Sequence, residues 1–318
     1  MNHIVTGRIL RAGAVLALLT ACAATTMVAG GCGASEAPAF SADSAWVHIE
    51  RQVAFGPRVP GSAARDSAAR YLARTLERYG ARVSLQAFDV DDPYRPEPLR
   101  LINIMGSFAP DRSKRLMLAA HYDSRPWADQ EADTTLWNTP IPGAVDGAAG
   151  VGVLLEVGRI LGAALPAEIG VDIVLFDGED YGREGDIEYY LLGSQGFVAR
   201  AAGYRPAAAI LIDMVGGRGT RVREEGFSRQ RSPRLLDFVF GRAASLGLTY
   251  FEAVAGAPMY DDHIPLLQAG YDAIDLFGYD YAAWHTLEDD LDQVDRALLA
   301  EVGSLLRSIA YDFAYPAP

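Results

Sequence analysis

Hydrophobic and polar positions along the chain follow two different periods. Residues 62–79 carry Ala, Leu and Tyr at helical spacing, which predicts an amphipathic helix, and residues 150–161 also predict a helix. Short apolar runs typical of buried strands occupy 116–120, 171–176, 207–212 and 273–277. Because strands alternate with helical segments, we expect an α/β fold: a single domain with a central, mostly parallel mixed sheet flanked by helices. Ligands of such sheets bind at the carboxyl ends of the strands.

The first 32 residues have the features of a targeting segment. A basic start precedes an apolar run over 12–24, which is shorter than the roughly 20 residues of a membrane-spanning helix. Cys22 and Cys32 each end a motif that resembles a bacterial lipoprotein cleavage site, and an ordinary secretory signal is the alternative. We therefore expect an exported protein, periplasmic or held at a bacterial membrane by a lipid anchor.

The remainder of the chain predicts one domain. Residues 33–43 are small and polar and are interpreted as a tether, whereas 44–318 contain no linker, repeat or low-complexity stretch. The two cysteines both lie in the targeting segment, so the mature domain has neither an internal disulfide nor a thiolate metal site. Any metal must be bound by His and carboxylate side chains.

Composition and charge narrow the class of protein. Half of the residues are apolar and 22% are charged, which is ordinary for a globular enzyme. The net charge of −13 argues against a nucleic-acid partner, because phosphate binding needs a basic surface. Acidic side chains gathered in a cleft would instead suit a metal ion or a free amino terminus.

Side chains that can bind a metal follow the predicted strands or lie in the loops beyond them. They are His121, Asp146, Asp180, Asp213 and His285, with Glu179 beside Asp180. Each alone has an ordinary explanation, such as a turn residue or a helix cap. Adjacent carboxylates at the end of a strand repel each other, however, and burying them is costly unless a cation or a proton relieves the charge.

These segments, in this order, resemble the zinc-dependent aminopeptidase superfamily, which also contains the animal-type glutaminyl cyclases. The resemblance covers roughly 46–312. In the aminopeptidase branch it implies two zinc ions and a Glu179 general base, with these five ligands: His121, Asp146, Asp180, Asp213 and His285. The sequence departs from that branch at Asp180, where the aminopeptidases usually have Glu.

Further segments resemble the cyclase branch more specifically. Asp261 and Asp262 begin an Asp-Asp-His-Ile-Pro segment, and Trp284 directly precedes His285. The segments His-Tyr-Asp-Ser-Arg-Pro at 121–126 and Leu-Gly-Ser-Gln at 192–195 are similar to bacterial cyclases. The resemblance implies that Trp284 helps to form the wall of the substrate-binding pocket.

The cyclase resemblance also implies a metal count and an activity. One zinc ion would be bound by Asp146, Asp180 and His285. Glu179, Asp213 and Asp261 would form a network of carboxylates that share a proton. The implied enzyme is a glutaminyl-peptide cyclotransferase, an acyltransferase that converts N-terminal Gln, or more slowly Glu, of peptides and proteins to pyroglutamate.

Two alternatives remain at this stage. A dizinc aminopeptidase explains the five ligands equally well, but it explains neither Trp284 nor the double aspartate. A non-catalytic binding domain with the same fold would typically have lost a ligand, and every ligand position is filled here.

Overall fold

Strands and helices alternate along most of the chain in the computed structural model, which describes Met1 and residues 37–201 and 203–316. The helices are α1 (Ala42–Val53), α2 (Ala63–Arg78), α3 (Ala148–Ala163), α4 (Leu192–Arg200), α5 (Gly226–Arg231), α6 (Pro233–Ser245), α7 (His263–Gln268) and α8 (Arg296–Tyr311). The strands are β1 (Arg82–Val90), β2 (Leu99–Phe108), β3 (Arg115–His121), β4 (Gly170–Phe176), β5 (Ala208–Asp213), β6 (Arg221–Glu224), β7 (Phe251–Ala255) and β8 (Ala273–Tyr279). The six elements expected from the pattern are confirmed as α2, α3, β3, β4, β5 and β8.

All eight strands form one sheet in the order β1-β2-β4-β3-β5-β8-β6-β7. Strands β4, β3, β5 and β8 run parallel at its centre, whereas β2 pairs antiparallel with β4 and β1 with β2. On the other side β6 is antiparallel to β8 and parallel to β7. The expected mostly parallel mixed sheet is therefore confirmed.

The central strands are apolar on both faces because helices cover both faces. In β3, Leu116 and Leu118 belong to the larger apolar cluster, which also contains side chains of α2, α3 and α8. Met117 and Ala119 point to the opposite face, where they join side chains of α4 and α7. This strict alternation is the period of two that a strand imposes on its side chains.

Two helices show how local sequence fixes the packing. The Ser62 side chain accepts a hydrogen bond from the Arg65 backbone N–H and so caps α2, whose predicted start is confirmed. Helix α3 is buried along nearly its whole length. At Gly152 a Cβ atom would lie 2.6 Å from Cγ1 of Ile49, so a glycine is required where α1 crosses α3.

The structure describes only the end of the predicted amino-terminal segments. Apart from Met1, the targeting segment predicted over 1–32, with Cys22 and Cys32, lies outside the described residues. Within the tether predicted over 33–43, Arg307 donates hydrogen bonds to the carbonyl oxygens of Ala37 and Pro38, and helix α1 already begins at Ala42. The part of this segment from 37 onward thus packs on the domain. No helix in the described part of the chain combines the length and apolarity needed to cross a membrane.

Candidate metal centre and active site

The predicted metal ligands meet at the carboxyl edge of the parallel strands. His121 is the last residue of β3, and Asp213 is the last residue of β5. Asp180 lies in the turn after β4, Asp146 lies just before α3, and His285 lies in the loop after β8. All five side chains are buried, with exposures of 1% to 8%. The fold therefore gathers residues from five separate segments at one place.

The donor atoms form two groups of three, in each of which all atoms lie within 4.8 Å of one another. In the first group, Nε2 of His285 lies 3.5 Å from Oδ2 of Asp146 and 3.3 Å from Oδ2 of Asp180. In the second, Nε2 of His121 lies 3.1 Å from Oδ1 of Asp146 and 3.2 Å from Oδ1 of Asp213. Asp146 belongs to both groups and offers a different oxygen to each.

The first group fits a zinc-type cation. One imidazole and two carboxylates are nitrogen and oxygen donors of the kind that catalytic zinc uses, and three protein ligands leave a position open. Oδ2 of Asp180 is buried and has no hydrogen-bond partner among the described residues. Burial raises the pKa of Asp146, and the charges of Asp180 and Asp213 raise it further against the opposing effect of His121. A bound divalent cation relieves this repulsion.

The backbone around Asp146 is fixed by a second buried carboxylate. Asp289 accepts hydrogen bonds from the N–H groups of Val145, at 2.9 Å, and Asp146, at 3.2 Å. At the next residue, Gly147, a Cβ atom would lie 2.4 Å from Nε2 of His121. Only glycine therefore lets the loop approach the imidazole this closely.

This arrangement of donors at the edge of a mixed sheet agrees with the comparison to protein families. The family model of Peptidase family M28 matches residues 103–310. The chain belongs to peptidase family M28.

Relatives of this M28 chain include solved bacterial proteins and curated animal enzymes. The glutaminyl cyclase of Bacteroides thetaiotaomicron, solved bound to N-acetylhistamine, is 37% identical with a TM-score of 0.84; the match covers 87% of this chain and 99% of that one. A structure described as a leucine aminopeptidase precursor from Bacteroides thetaiotaomicron VPI-5482 has the same identity and TM-score and covers 87% and 98%. The glutaminyl-peptide cyclotransferase of Boiga dendrophila is 24% identical over 291 residues, or 80% of this chain and 77% of that protein.

In this M28 site, Glu179 is a buried acid directly before Asp180, within reach of the charges of a buried acidic cluster. Its side chain is only 9% exposed. Burial raises its pKa well above the usual value; the charges of Asp180 and Asp261 add to this, and His121 opposes it. A carboxyl group with a raised pKa can both accept and return a proton near neutral pH.

The buried acidic cluster contains both predicted members, Asp213 and Asp261, and two further aspartates. Asp262 accepts a hydrogen bond of 2.5 Å from Oγ of Ser194, and Asp275 is fully buried in the middle of β8. Burial raises the pKa of all four carboxyl groups. Sequence reasoning missed Asp275, although an acidic residue inside the apolar run 273–277 was a usable signal.

A mostly apolar cavity of about 180 Å³ is lined by Met214 and Trp284, the sequence neighbours of Asp213 and His285. Its lining includes Met214, Met259, Phe277, Tyr281 and Trp284. The Trp284 ring is 39% exposed, and its centroid lies 4.1 Å from that of His285.

Tyr281 and Tyr190 differ in their relation to this cavity. Tyr281 lines the cavity and donates a hydrogen bond of 2.7 Å to Asp289. Tyr190 is not among the lining residues; its hydroxyl accepts a hydrogen bond of 2.9 Å from Arg125. Of the two, only Tyr281 is placed to contact a ligand in the cavity.

Proposed function

We propose that this protein is a glutaminyl-peptide cyclotransferase, which converts the N-terminal Gln, and more slowly Glu, of peptides to pyroglutamate. The observation that carries the proposal is one arrangement: Asp146, Asp180 and His285 bring their donor atoms together, buried Glu179 directly precedes Asp180, and Trp284, whose ring lies against His285, lines a small cavity. The named activity of the Bacteroides thetaiotaomicron and Boiga dendrophila relatives supports it.

Asp146, Asp180 and His285 would hold one zinc ion. When bound, zinc would polarise the γ-carbonyl group of the substrate as a Lewis acid. His121 and Asp213 are the candidates for a second ion, since they form a group of donors with Asp146.

Glu179 would act first as a base and then as an acid. It accepts a proton from the α-ammonium group of the substrate, and the freed amine attacks the γ-carbonyl carbon. As the five-membered ring closes, the bond to the side-chain amide nitrogen breaks, Glu179 returns the proton to that nitrogen, and ammonia leaves. The ring nitrogen, which still carries two hydrogens, loses one proton to solvent and becomes the lactam N–H. For a substrate held in the correct orientation, intramolecular attack can supply about 7–11 kcal/mol of barrier reduction.

The acidic cluster would keep the proton available to Glu179. Asp261 is 4% exposed, and its charge raises the pKa values of both Glu179 and Asp213. Close carboxylates of this kind share a proton and do not all ionise together. Asp213 and Asp261 would therefore support Glu179 as the base.

A dizinc aminopeptidase is the second candidate, and the donor group of His121, Asp146 and Asp213 favours it. In that enzyme Glu179 would activate a water molecule. Trp284 and the buried Asp261–Asp262 pair favour the cyclase, because they lie in segments that resemble the cyclases and the aminopeptidase does not explain them.

The deciding experiment uses a Gln-initiated dipeptide amide with purified, zinc-loaded protein. We expect release of ammonia and a product 17 Da lighter than the substrate (the mass of NH₃), while an Ala-initiated dipeptide amide stays intact. N-acetylhistamine, the compound bound in the Bacteroides thetaiotaomicron structure, serves as a competitor. Release of free Gln would show that the protein is an aminopeptidase and not a cyclase.

We also propose that the protein is exported and lipidated at Cys22 or Cys32. The basic start and the apolar run before these cysteines support this proposal. Expression in a bacterium with labelled palmitate, comparing Cys22→Ser and Cys32→Ser, tests it. The variant that loses the label identifies the lipidated cysteine. A parent protein without label would mean that the segment is an ordinary secretory signal.

A further inference from the structure

Arg125 is a buried arginine whose five N–H donors are all used at the metal site. Its side chain is 1% exposed. Nε and Nη2 donate to the two carboxylate oxygens of Asp129 at 2.9 and 2.5 Å. Nη1 donates to Oδ1 of Asp180 at 2.5 Å and to its carbonyl oxygen at 3.4 Å, and Nη2 also donates to the Tyr190 hydroxyl. A guanidinium group has five donors in a rigid fork, so its position here is fully determined.

The hydrogen bond from Arg125 makes the two carboxylate oxygens of Asp180 different. Oδ1 is held by Arg125, whereas Oδ2 has no hydrogen-bond partner in the described part of the chain and faces Nε2 of His285 at 3.3 Å. Only Oδ2 is therefore available to a metal ion held with His285.

Asp129 extends the arrangement to the second ligand. Its Oδ1 lies 3.6 Å from Nδ1 of His285, and the N–H of the next residue, Gln130, donates to the His285 carbonyl oxygen at 3.3 Å. His285 itself has a left-handed backbone with φ of 56°. An acidic group next to Nδ1 of a ligating imidazole favours the tautomer that carries its proton on Nδ1, which leaves Nε2 free to bind the metal.

We propose that Arg125 and Asp129 are a positioning pair, which holds Asp180 and His285 so that Asp180 binds the metal through Oδ2 alone. This inference rests on the proposed metal site, but not on the identity of the reaction. With Oδ1 engaged by a cation, the carboxylate donates less charge to the metal, which keeps the metal a stronger Lewis acid. The pair also gives the short Asp side chain, where the aminopeptidases usually have Glu, a single fixed orientation.

Whether an Arg125 variant binds zinc more tightly or more weakly shows whether Arg125 acts through its charge or by positioning the ligands. Removing the Arg125 charge alone would tighten zinc binding, because one repulsive positive charge is lost. Removing an orienting partner typically weakens metal binding about 10- to 100-fold. We therefore expect Arg125→Met to raise the zinc dissociation constant by about that factor in a chelator competition. Arg125→Lys should not restore it, because an ammonium group cannot reproduce the fork.

Arg115→Met is the matched control. Arg115 also binds a buried aspartate, because it donates hydrogen bonds to both carboxylate oxygens of Asp172, at 2.5 and 2.6 Å. It lies at the opposite end of β3 from His121. We expect this variant to lose thermal stability and to keep its zinc affinity. Melting of each metal-free variant provides the folding control.

A crystal structure of the zinc-loaded parent protein tests the coordination directly. We expect one Asp180 oxygen on the metal in the parent and two in Arg125→Met. Unchanged or tighter zinc binding in Arg125→Met, or two Asp180 oxygens on the metal in the parent, would overturn the inference. Because neither measurement uses pyroglutamate formation, failure of the proposed activity would be seen separately.

Discussion

Oδ1 of Asp123 accepts a hydrogen bond from the backbone N–H of Glu179 over 3.2 Å. Its other oxygen accepts from the N–H of Asp180 at 3.4 Å, and Oδ1 also lies 3.5 Å from Nδ1 of His121. One buried carboxylate thus fixes the backbone of Glu179, the proposed base, and of Asp180, a proposed metal ligand.

Replacing Glu179 by Gln should abolish turnover while zinc stays bound. Gln keeps the shape of the side chain but cannot accept a proton, and loss of a general base typically costs about 10²- to 10⁴-fold in rate. We expect kcat to fall in that range in the dipeptide amide assay, with one zinc ion per chain by metal analysis. An active Glu179→Gln variant would show that another group acts as the base.

Replacing Asp146 by Asn should weaken zinc binding more than replacing Asp213 by Asn. Asp146 contributes to both donor groups, whereas Asp213 contributes only to the group with His121. We expect Asp146→Asn to raise the zinc dissociation constant by more than the roughly 10- to 100-fold that loss of a supporting residue costs.

The Asp213 variant tests the number of ions. If one zinc is bound by Asp146, Asp180 and His285, Asp213→Asn keeps about one ion per chain and loses activity through the proton network. A parent protein with two ions per chain, one of which disappears in Asp213→Asn, would favour the dizinc aminopeptidase.

The elements and ligands that could be predicted from sequence are those that a short stretch of sequence indicates by itself. Strands β3, β4, β5 and β8 are buried on both faces and contain apolar runs, interrupted only by Asp172 in 171–176 and Asp275 in 273–277, so they could be recognised. Strands β1 and β7 are largely exposed edge strands, and their pattern gives no such run. Contacts between distant residues could not be predicted either: Arg125 and Asp180 are 55 positions apart, and neither sequence context indicates the pairing.

Replacing Trp284 by Ala should raise KM for Gln-initiated substrates more than it lowers kcat. The partly exposed indole lines the cavity and has no acid or base role in the proposed reaction. We therefore expect it to contribute to substrate binding through apolar contact. We expect about a tenfold rise in KM, which corresponds to about 1.4 kcal/mol of binding. Trp284→Phe, which retains an aromatic face, should recover part of it. A loss confined to kcat would place Trp284 in the chemical step.

Acid should destabilise the protein through His48, a buried residue of helix α1. The imidazole is 5% exposed, with Nδ1 at 2.6 Å from the Tyr71 hydroxyl and Nε2 at 3.1 Å from that of Tyr79. Burial, and then the charge of Arg78, lower the pKa of His48 from 6.5 to about 4. Between these two values the unfolded chain binds a proton that the folded chain does not. Stability is therefore lost as the pH falls from 6.5 toward 4, by up to about 1.4 kcal/mol per pH unit.

His48→Gln isolates this contribution, because it removes the titrating group and leaves the other acids and bases in place. Urea unfolding of both proteins at pH 7.5, 6 and 5, with EDTA present, keeps zinc release from contributing to the difference. Gln can still donate and accept hydrogen bonds, but it fits the site less well, so the variant should be less stable at pH 7.5. As the pH falls, that deficit should shrink, because only the parent loses the stability linked to His48. A deficit that stays constant down to pH 5 would mean that the folded protein accommodates a charged imidazole between the two tyrosines.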